Sequence, residues 1–527
     1  MRMRRFGLLL SSVALAAVCS LFLTSPTSLP KALGQDAAAG AANVPKGVEV
    51  QARGPIHEAI ATPTAEPKPT YGVPKKPPEN IEEMPPEEKP EGDAVWIGGY
   101  WAWDDDRADF LWVSGCWRVK PQGKDWVSGY WREVSGQHQW VPGFWRTVEA
   151  QKTSEVTYYP EPPPPPQTAA PPPAAEPDSF YVPGHWMWVG DHYVWRAGYY
   201  TRVRTGYVYV ASHYRWTPFG FVFVAGYWDY SIPRRGVLYA PIVVDTVVVG
   251  PRFVYTPYYA VSDTIIVDAY FVRPGFCHYY YGDYYGPRYT AIGFECGYHY
   301  SQRHYDAVVV YHRYEHRHTP GWYDTHINVT VARHAGRAPL PPRTLHQQNN
   351  VTVVNNKTTN VYNTTVLAPT KMVVASRGAK TVALDQTARL QVKESAATVH
   401  RAAVTERVKT ETVPHGTTPL ANPRTAAMNS PQGPGVTHHQ GGTKTQHVPA
   451  TTNVLKNPDA KGKPLSKPLT TKETATTDSS KSKTPDGATK GATTTEGTAP
   501  MLTRPTTTPD RPAATKKPAE ERKKKGG

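Results

Sequence analysis

Apolar positions along this chain follow several distinct patterns. Phe6 to Leu23 is an apolar run of 18 residues behind Arg2, Arg4 and Arg5. Residues 35–92 show no apolar periodicity and are rich in Ala, Pro, Glu and Lys, which predicts an extended, disordered linker. From 93 onward aromatic residues recur in a fixed register, W-x-x-G-x-W. The first four copies are Trp96–Trp101, Trp112–Trp117, Trp126–Trp131 and Trp140–Trp145. A proline-rich segment, 149–177, interrupts the pattern. It then resumes at Tyr181–Trp186, Trp195–Tyr200, Tyr209–Tyr214 and Phe223–Trp228, with Ser212 in place of the usual glycine. Starts within each block lie 14 residues apart, except for one spacing of 16 that absorbs the acidic insert Asp104-Asp105-Asp106-Arg107-Ala108-Asp109.

Fourteen residues are too few for a helix pair and suit two short strands with two turns. Val141-Pro142-Gly143-Phe144 and Val182-Pro183-Gly184-His185 fit tight turns, with Pro fixing φ and Gly supplying a positive φ. If that turn closes a hairpin, Trp140 faces Trp145. The second turn of each unit falls in polar stretches such as Ser135-Gly136-Gln137-His138. Arg118, Arg132 and Arg146 each follow a repeat Trp, placed to cover aromatic rings of a neighbouring strand. One such unit cannot bury its rings alone, whereas four stacked units can.

Beyond the repeats, Val243-Val244, Val247-Val248-Val249, Phe253-Val254-Tyr255, Ile265-Ile266-Val267 and Val308-Val309-Val310 read as short strands, and Tyr279–Tyr289 as packed aromatic loops. Residues 321–412 combine an Asn/Thr tract with helical spacing of Val392, Ala396, Val399 and Ala403, which predicts a helix within 382–411. Asn328, Asn350, Asn356 and Asn363 each open an N-x-T triplet, read as a glycosylation acceptor or as plain polar tract. Pro, Thr, Gly and Lys dominate 413–527, which predicts a disordered tail. The expected fold is mainly β: two short aromatic β-meander modules (93–148 and 178–320) joined by Pro-rich linkers, with a long disordered basic C-terminal tail.

Composition sharpens this division. The 527 residues include 53 prolines and 41 glycines, and 14 of the 15 tryptophans lie between Trp96 and Trp228. Residues 321–527 hold 30 Lys and Arg against 13 Asp and Glu, while residues 1–320 hold 29 against 31. The net charge of +15 is therefore a property of the tail. A diffuse basic tail suits an anionic polymer such as a cell-envelope polysaccharide, without specific nucleic-acid recognition. The basic N-terminus, the apolar run and Ala32-Leu33-Gly34 predict a signal peptide over 1–34, with retention as an anchor as the alternative. After cleavage no transmembrane segment is expected.

With Cys19 in the signal, Cys116, Cys277 and Cys296 remain, too few for a disulfide scaffold, although Cys277 and Cys296 could pair. Asp104, Asp105, Asp106 and Asp109 read as a solvated turn, with calcium as the lesser reading. His312, His316 and His318 with Glu315 read as a surface stretch, with a transition metal as the lesser reading. No G-x-S-x-G, H-E-x-x-H or P-loop occurs, and no catalytic residue, metal or cofactor is expected.

The repeats Trp126–Trp131 and Trp140–Trp145 resemble the WXXGXW (also written YXWGXW) repeat family of exported bacterial proteins, over about 93–228. The overall plan resembles large secreted proteins of planctomycete bacteria. That resemblance implies export and residence in the periplasm, cell envelope or extracellular space, and no established activity. Two roles for the repeat side chains stay open: a minimal core that also supports self-association, or exposed platforms for sugar rings, Trp117, Trp131 and Trp145 among them. The expected function is a non-enzymatic structural or interaction protein, with polysaccharide binding as the alternative. The candidate binding residues are Trp96, Trp101, Trp112, Trp117, Trp126, Trp131, Trp140, Trp145, Trp186, Trp195 and Trp228.

Overall fold

The computed structural model describes residues 44–64, 67–148, 155–166, 176, 178–355, 365–412 and 419–428, with the backbone alone for 351–355. The signal segment 1–34, Asn356, Asn363 and the tail beyond 428 lie outside the described residues. The eight repeats fold as four hairpins of two repeats each. In the second hairpin, strands Tyr130–Val134 and Gln137–Val141 pair around a turn at Ser135-Gly136, which brings Trp131 opposite Trp140. Strands Lys124–Val127 and Phe144–Thr147 continue the same hairpin and bring Trp126 opposite Trp145. The first hairpin pairs Trp101 with Trp112 and Trp96 with Trp117. The third pairs Trp186 with Trp195 and Tyr181 with Tyr200, and the fourth Tyr214 with Phe223 and Tyr209 with Trp228.

The expectation that the W-x-x-G-x-W turn closes a hairpin, with Trp140 facing Trp145, is therefore corrected. Only the polar turn closes the hairpin, and x-G is a break at which both strands are interrupted side by side. The repeat glycines do not have a positive φ, which among glycines occurs elsewhere, as at Gly136 with φ 76° in the closing turn. Their role is close approach. A Cβ on Gly143 would stand 2.4 Å from Cζ2 of Trp126 and 2.8 Å from the Val127 carbonyl oxygen. Gly129 stands in the same relation to Trp140, and Gly115 to Trp96. Each glycine thus lets the leading ring of the partner repeat lie across its backbone. The eight facing ring pairs have centroids 5.1 to 5.6 Å apart and planes inclined by 50° to 76°, near the edge-to-face arrangement that aromatic quadrupoles favour.

The architecture is mainly β, in small sheets. Behind the hairpins, Tyr270–Arg273 and His278–Tyr281 form the centre of a four-stranded sheet completed by Gly54–Pro55 and Glu295–Cys296. Tyr270, Tyr279, Tyr280, Tyr281, Tyr284, Tyr285 and Tyr289 are all buried in the largest core cluster. The hydroxyls of Tyr270 and Tyr279 donate to buried Asp306, at 2.6 and 2.8 Å. The Tyr-rich segment is thus core strand at its start, not loop alone.

Several expectations meet corrections here. Most of the proposed linker 35–92 is built into the fold: Ala52, Ile56, Ala59 and Ile60 are buried, and Ile56 N donates to Tyr279 O at 2.7 Å. The two repeat blocks pack on each other, as when the Arg118 guanidinium meets Asp229 at 2.6 Å. The Val-rich runs at 246–249 and 307–315 are helices, because Asp245 and Asp306 cap them through backbone N–H groups, and a cap outweighs a modest β preference. Ile265–Val267 likewise lies in helix Asp263–Asp268. The helix expected within 382–411 is present as Gln386–Glu411. Residues 419–428, expected in the tail, include strand Arg424–Ala427 paired with Glu155–Tyr159. No helix among the described residues is long and apolar enough to cross a membrane.

Candidate functional site

A break in both strands of a hairpin leaves backbone groups without ladder partners, and buried ones need other partners. The second hairpin obtains them from opposite ends of the chain. Glu58 accepts from Gly143 N at 2.9 Å and from Trp140 Nε1 at 3.0 Å. On the carbonyl side, Arg407 of the long helix donates to Ser128 O and Pro142 O at 2.9 and 3.0 Å. Its Nε donates to Glu411 at 2.8 Å, and Glu411 also accepts from Tyr130 and Tyr158. The first hairpin repeats the arrangement: Glu83 accepts from Gly115 N at 2.8 Å and from Trp112 Nε1 at 3.3 Å. In the fourth hairpin Ser212 accepts from Gly226 N at 2.9 Å, so the residue that departs from the repeat carries its own acceptor.

Burial pushes the carboxyls of Glu58 and Glu83 up to about 7, against the hydrogen bonds that favour their ionised forms. Burial likewise lowers His278, 3.3 Å from Glu58, to about 3, so this imidazole is neutral at ordinary pH and the contact is not an ion pair. Glu58 and Glu83 were missed in the sequence because both lie in a segment read as linker. The signal available for Glu58 was the apolar cluster Ile56, Ala59, Ile60 and Ala61 around it.

The candidate tryptophans divide by block. Trp96, Trp101, Trp112, Trp117, Trp140 and Trp145 are buried, while Trp126 and Trp131 are half-buried. Trp117 is 1 % exposed and Trp145 5 %, so neither offers a face to a sugar ring. Trp131 donates its Nε1 to Trp101 O and meets Phe110 edge-on at 5.3 Å. The first two hairpins thus bring their rings together as core. Trp186, Trp195 and Trp228 are half-buried, as is Trp188, and Tyr199, Val189 and Val194 are exposed on the third hairpin.

The expected cation–π contacts form for Arg118 over Trp145, at 5.0 Å, and for Arg132 over Trp216, at 5.6 Å. Arg146 instead donates to Met428 O. Cys116, Cys277 and Cys296 are all free and buried, so the Cys277–Cys296 pairing is not formed. The acidic insert is a turn at 105–108 with Asp105, Arg107, Ala108 and Asp109 exposed, as expected, and two of its carboxylates also reach back to the fold: Asp105 pairs with Arg273, and Asp106 with Arg53 and Arg288. His316 stacks on Trp322 at 4.3 Å and His312 is buried, and no group of three or more His, Cys, Asp or Glu among the described residues is placed to hold a metal.

No curated protein and no solved structure matches the chain. The family model described as the WXXGXW repeat, in two copies, matches residues 95–118, 180–199 and 204–228. These spans fall on the first, third and fourth hairpins, so two copies of the repeat coincide with one structural unit. The second hairpin has the same pairing outside the matched residues. In those three hairpins the chain is similar to the WXXGXW repeat family.

Proposed function

We propose that this chain is a non-enzymatic, exported structural and interaction protein of the cell envelope or extracellular space, with the aromatic repeats as its scaffold. The observation that carries this reading is the shared use of the repeat breaks. Glu58 and Glu83 from the N-terminal segment and Arg407 from the C-terminal helix all close hairpin breaks. The distinctive repeat residues therefore hold the chain together. The basic segment beyond 428 supplies attachment to an anionic envelope polymer. Cell fractionation of the tagged full chain tests export: recovery in the envelope or medium, lost on deletion of 1–34, is expected, and cytosolic retention of the intact chain contradicts the reading. Deletion of 429–527, which spares strand Arg424–Ala427, is expected to remove salt-sensitive binding to acidic polysaccharide.

Polysaccharide binding by the repeats is kept as a second reading for the third hairpin. Trp186, Trp188 and Trp195 are half-buried there and Tyr199 is exposed, and such partly open rings suit sugar C–H faces. Glycan pull-down with Trp188→Ala and Trp195→Ala decides it, and equal retention of wild type and variants removes this reading.

A further inference from the structure

The breaks of the first two hairpins are closed through the same pair of donors. In the second repeat of each pair, the leading indole N–H and the glycine N–H converge on one carboxylate: Trp112 and Gly115 on Glu83, Trp140 and Gly143 on Glu58. The fourth hairpin has Phe223 in the leading place, which offers no N–H, and Gly226 N donates to Ser212 within the hairpin. The third hairpin keeps both donors, Trp195 Nε1 and Gly198 N. Among the described residues neither has an acceptor. The bed is otherwise the same. A Cβ on Gly184 would stand 2.5 Å from Cζ2 of Trp195, as one on Gly129 would stand 2.4 Å from Cζ2 of Trp140. Trp195 and Gly198 are half-buried, and Trp195 packs against none of the buried clusters.

The indole face is open as well. In the second hairpin Tyr100 stacks on Trp140, with centroids 4.9 Å apart and planes 18° from parallel. A ring and a carboxylate from two separate parts of the chain thus cover Trp140. Among the described residues the one ring contact of Trp195 is Trp186, edge-on at 5.1 Å. The bed of Trp195 therefore fits a ring that carries a carboxylate. A glutamate of a partner protein would meet the two donors and leave the indole face uncovered. A hexuronate unit supplies both groups. Its carboxylate is bonded directly to the sugar ring, and the C–H face of that ring suits an indole. Two N–H groups on one carboxylate form charge-assisted hydrogen bonds.

We propose that the break of the third hairpin binds the uronic-acid units of an acidic polysaccharide, with Trp195 Nε1 and Gly198 N on the carboxylate and the Trp195 indole against the sugar ring. This rests on the sugar-platform reading of the third hairpin and adds the charge that is recognised. The test is calorimetric titration of the full chain with trigalacturonate and with its fully methyl-esterified, uncharged form. The chains compared are wild type, Trp195→Phe, and Gly184→Ser combined with Trp195→Phe. The double variant copies the fourth hairpin, where Ser212 and Phe223 hold these two places. The basic tail contributes equally to all three. Wild type is expected to prefer the acid, and Trp195→Phe, which keeps a ring and removes one donor, to lower that preference about ten-fold, the loss of one charge-assisted hydrogen bond. The double variant also gives Gly198 N an internal acceptor and should lower it further. An unchanged preference in folded Trp195→Phe assigns it to the tail and overturns the proposal. Equal affinity of wild type for the two sugars overturns it too and leaves the platform reading standing, whereas binding of neither removes both. Displacement of trigalacturonate by N-acetylglutamate amide as readily as by galacturonate points to a protein segment and likewise overturns it. Should circular dichroism show that one variant does not fold, the other decides.

Discussion

Replacing Gly143 with alanine tests the account of the repeat directly. The added Cβ would stand 2.4 Å from Cζ2 of Trp126 and 2.8 Å from the Val127 carbonyl oxygen, about 1 Å inside ordinary contact. Neither neighbour can give way easily. The Trp126 ring is fixed against Trp145, with centroids 5.3 Å apart, and the carbonyl is backbone. Overpacking of this kind costs about 1–3 kcal/mol, and the reduced freedom of the unfolded chain returns about 0.4–1 kcal/mol. The expected net loss is about 1.3 kcal/mol. Gly136 is the control: it has φ 76° in the closing turn and nothing within 4 Å of an added Cβ. Gly136→Ala should cost about 1–2 kcal/mol for the left-handed backbone alone. Total loss does not separate the two mechanisms, but their dependence on Trp126 does. In a Trp126→Leu background, Gly143→Ala should lose about 1 kcal/mol or more of its cost through coupling, and Gly136→Ala should lose none. Urea unfolding followed by far-UV circular dichroism reads all the required variants. An equal cost of Gly143→Ala with and without the indole would refute the close-approach account.

Other consequences follow from the break closures. The Glu58 and Glu83 carboxyls are raised from 4.5 to about 7. A proton held more tightly in the folded chain stabilises fully below pH 4.5, and that gain is lost as pH rises through about 7, on the order of 3 kcal/mol per group. Between pH 5 and pH 8 these two groups therefore pull the urea midpoint down, against the rise from buried histidines such as His278, and Glu58→Gln with Glu83→Gln should remove that downward contribution; a pH profile unchanged by the two substitutions would count against these groups. Arg407→Met should destabilise by about 3–5 kcal/mol, since it strands Glu411 and two carbonyls. Adding Glu411→Leu should recover part of that loss, and a strictly additive pair would contradict the buried network. Cys116, Cys277 and Cys296 are buried, and burial raises Cys277 to about 11. A thiol reagent should label them only after unfolding, and fast labelling of the folded chain would contradict their burial.

The period of the repeat and its β character were legible because aromatic register is a local pattern. Its pairing was not. Facing rings across Val141-Pro142-Gly143-Phe144 and facing rings across Ser135-Gly136 both satisfy an alternating strand, and the choice depends on where the leading indole lies in space. Glycine was correctly singled out but for the wrong property, since a positive φ and a close approach select the same residue. The N-terminal segment was misjudged because prolines and glutamates dominate its composition, while its burial rests on a few small side chains such as Ala52 and Ala59. The helices at 246–249 and 307–315 were hidden by β-branched runs whose capping aspartates, Asp245 and Asp306, were not weighed. The long helix showed its spacing in sequence, but the burial of Arg407 and Glu411 depends on hairpin carbonyls more than 260 positions away.

The pairing also fixes what counts as one unit. Each repeat contributes one strand segment on either side of its break, and seven of the eight leading rings lie over the glycine of the other repeat in their pair, Phe223 meeting Ser212 instead. An isolated repeat would leave its leading ring without a bed and its glycine without a cover, so repeats are complete only in twos. That is consistent with the even number of copies in each block and with a two-copy family model that falls on whole hairpins. Removing residues 124–137 would delete one half of the second hairpin, leaving Trp140 and Trp145 without Trp131 and Trp126 and leaving Glu58 to close a break that no longer has two sides. Removing 124–147 would take away a whole hairpin, and the remaining three would keep their internal pairs while Glu58 and Arg407 lost their partners. The first deletion should therefore disrupt packing more than the second, although it removes fewer residues. Near-ultraviolet circular dichroism, which reports coupled indoles, would show the reverse order if single repeats were the folding unit.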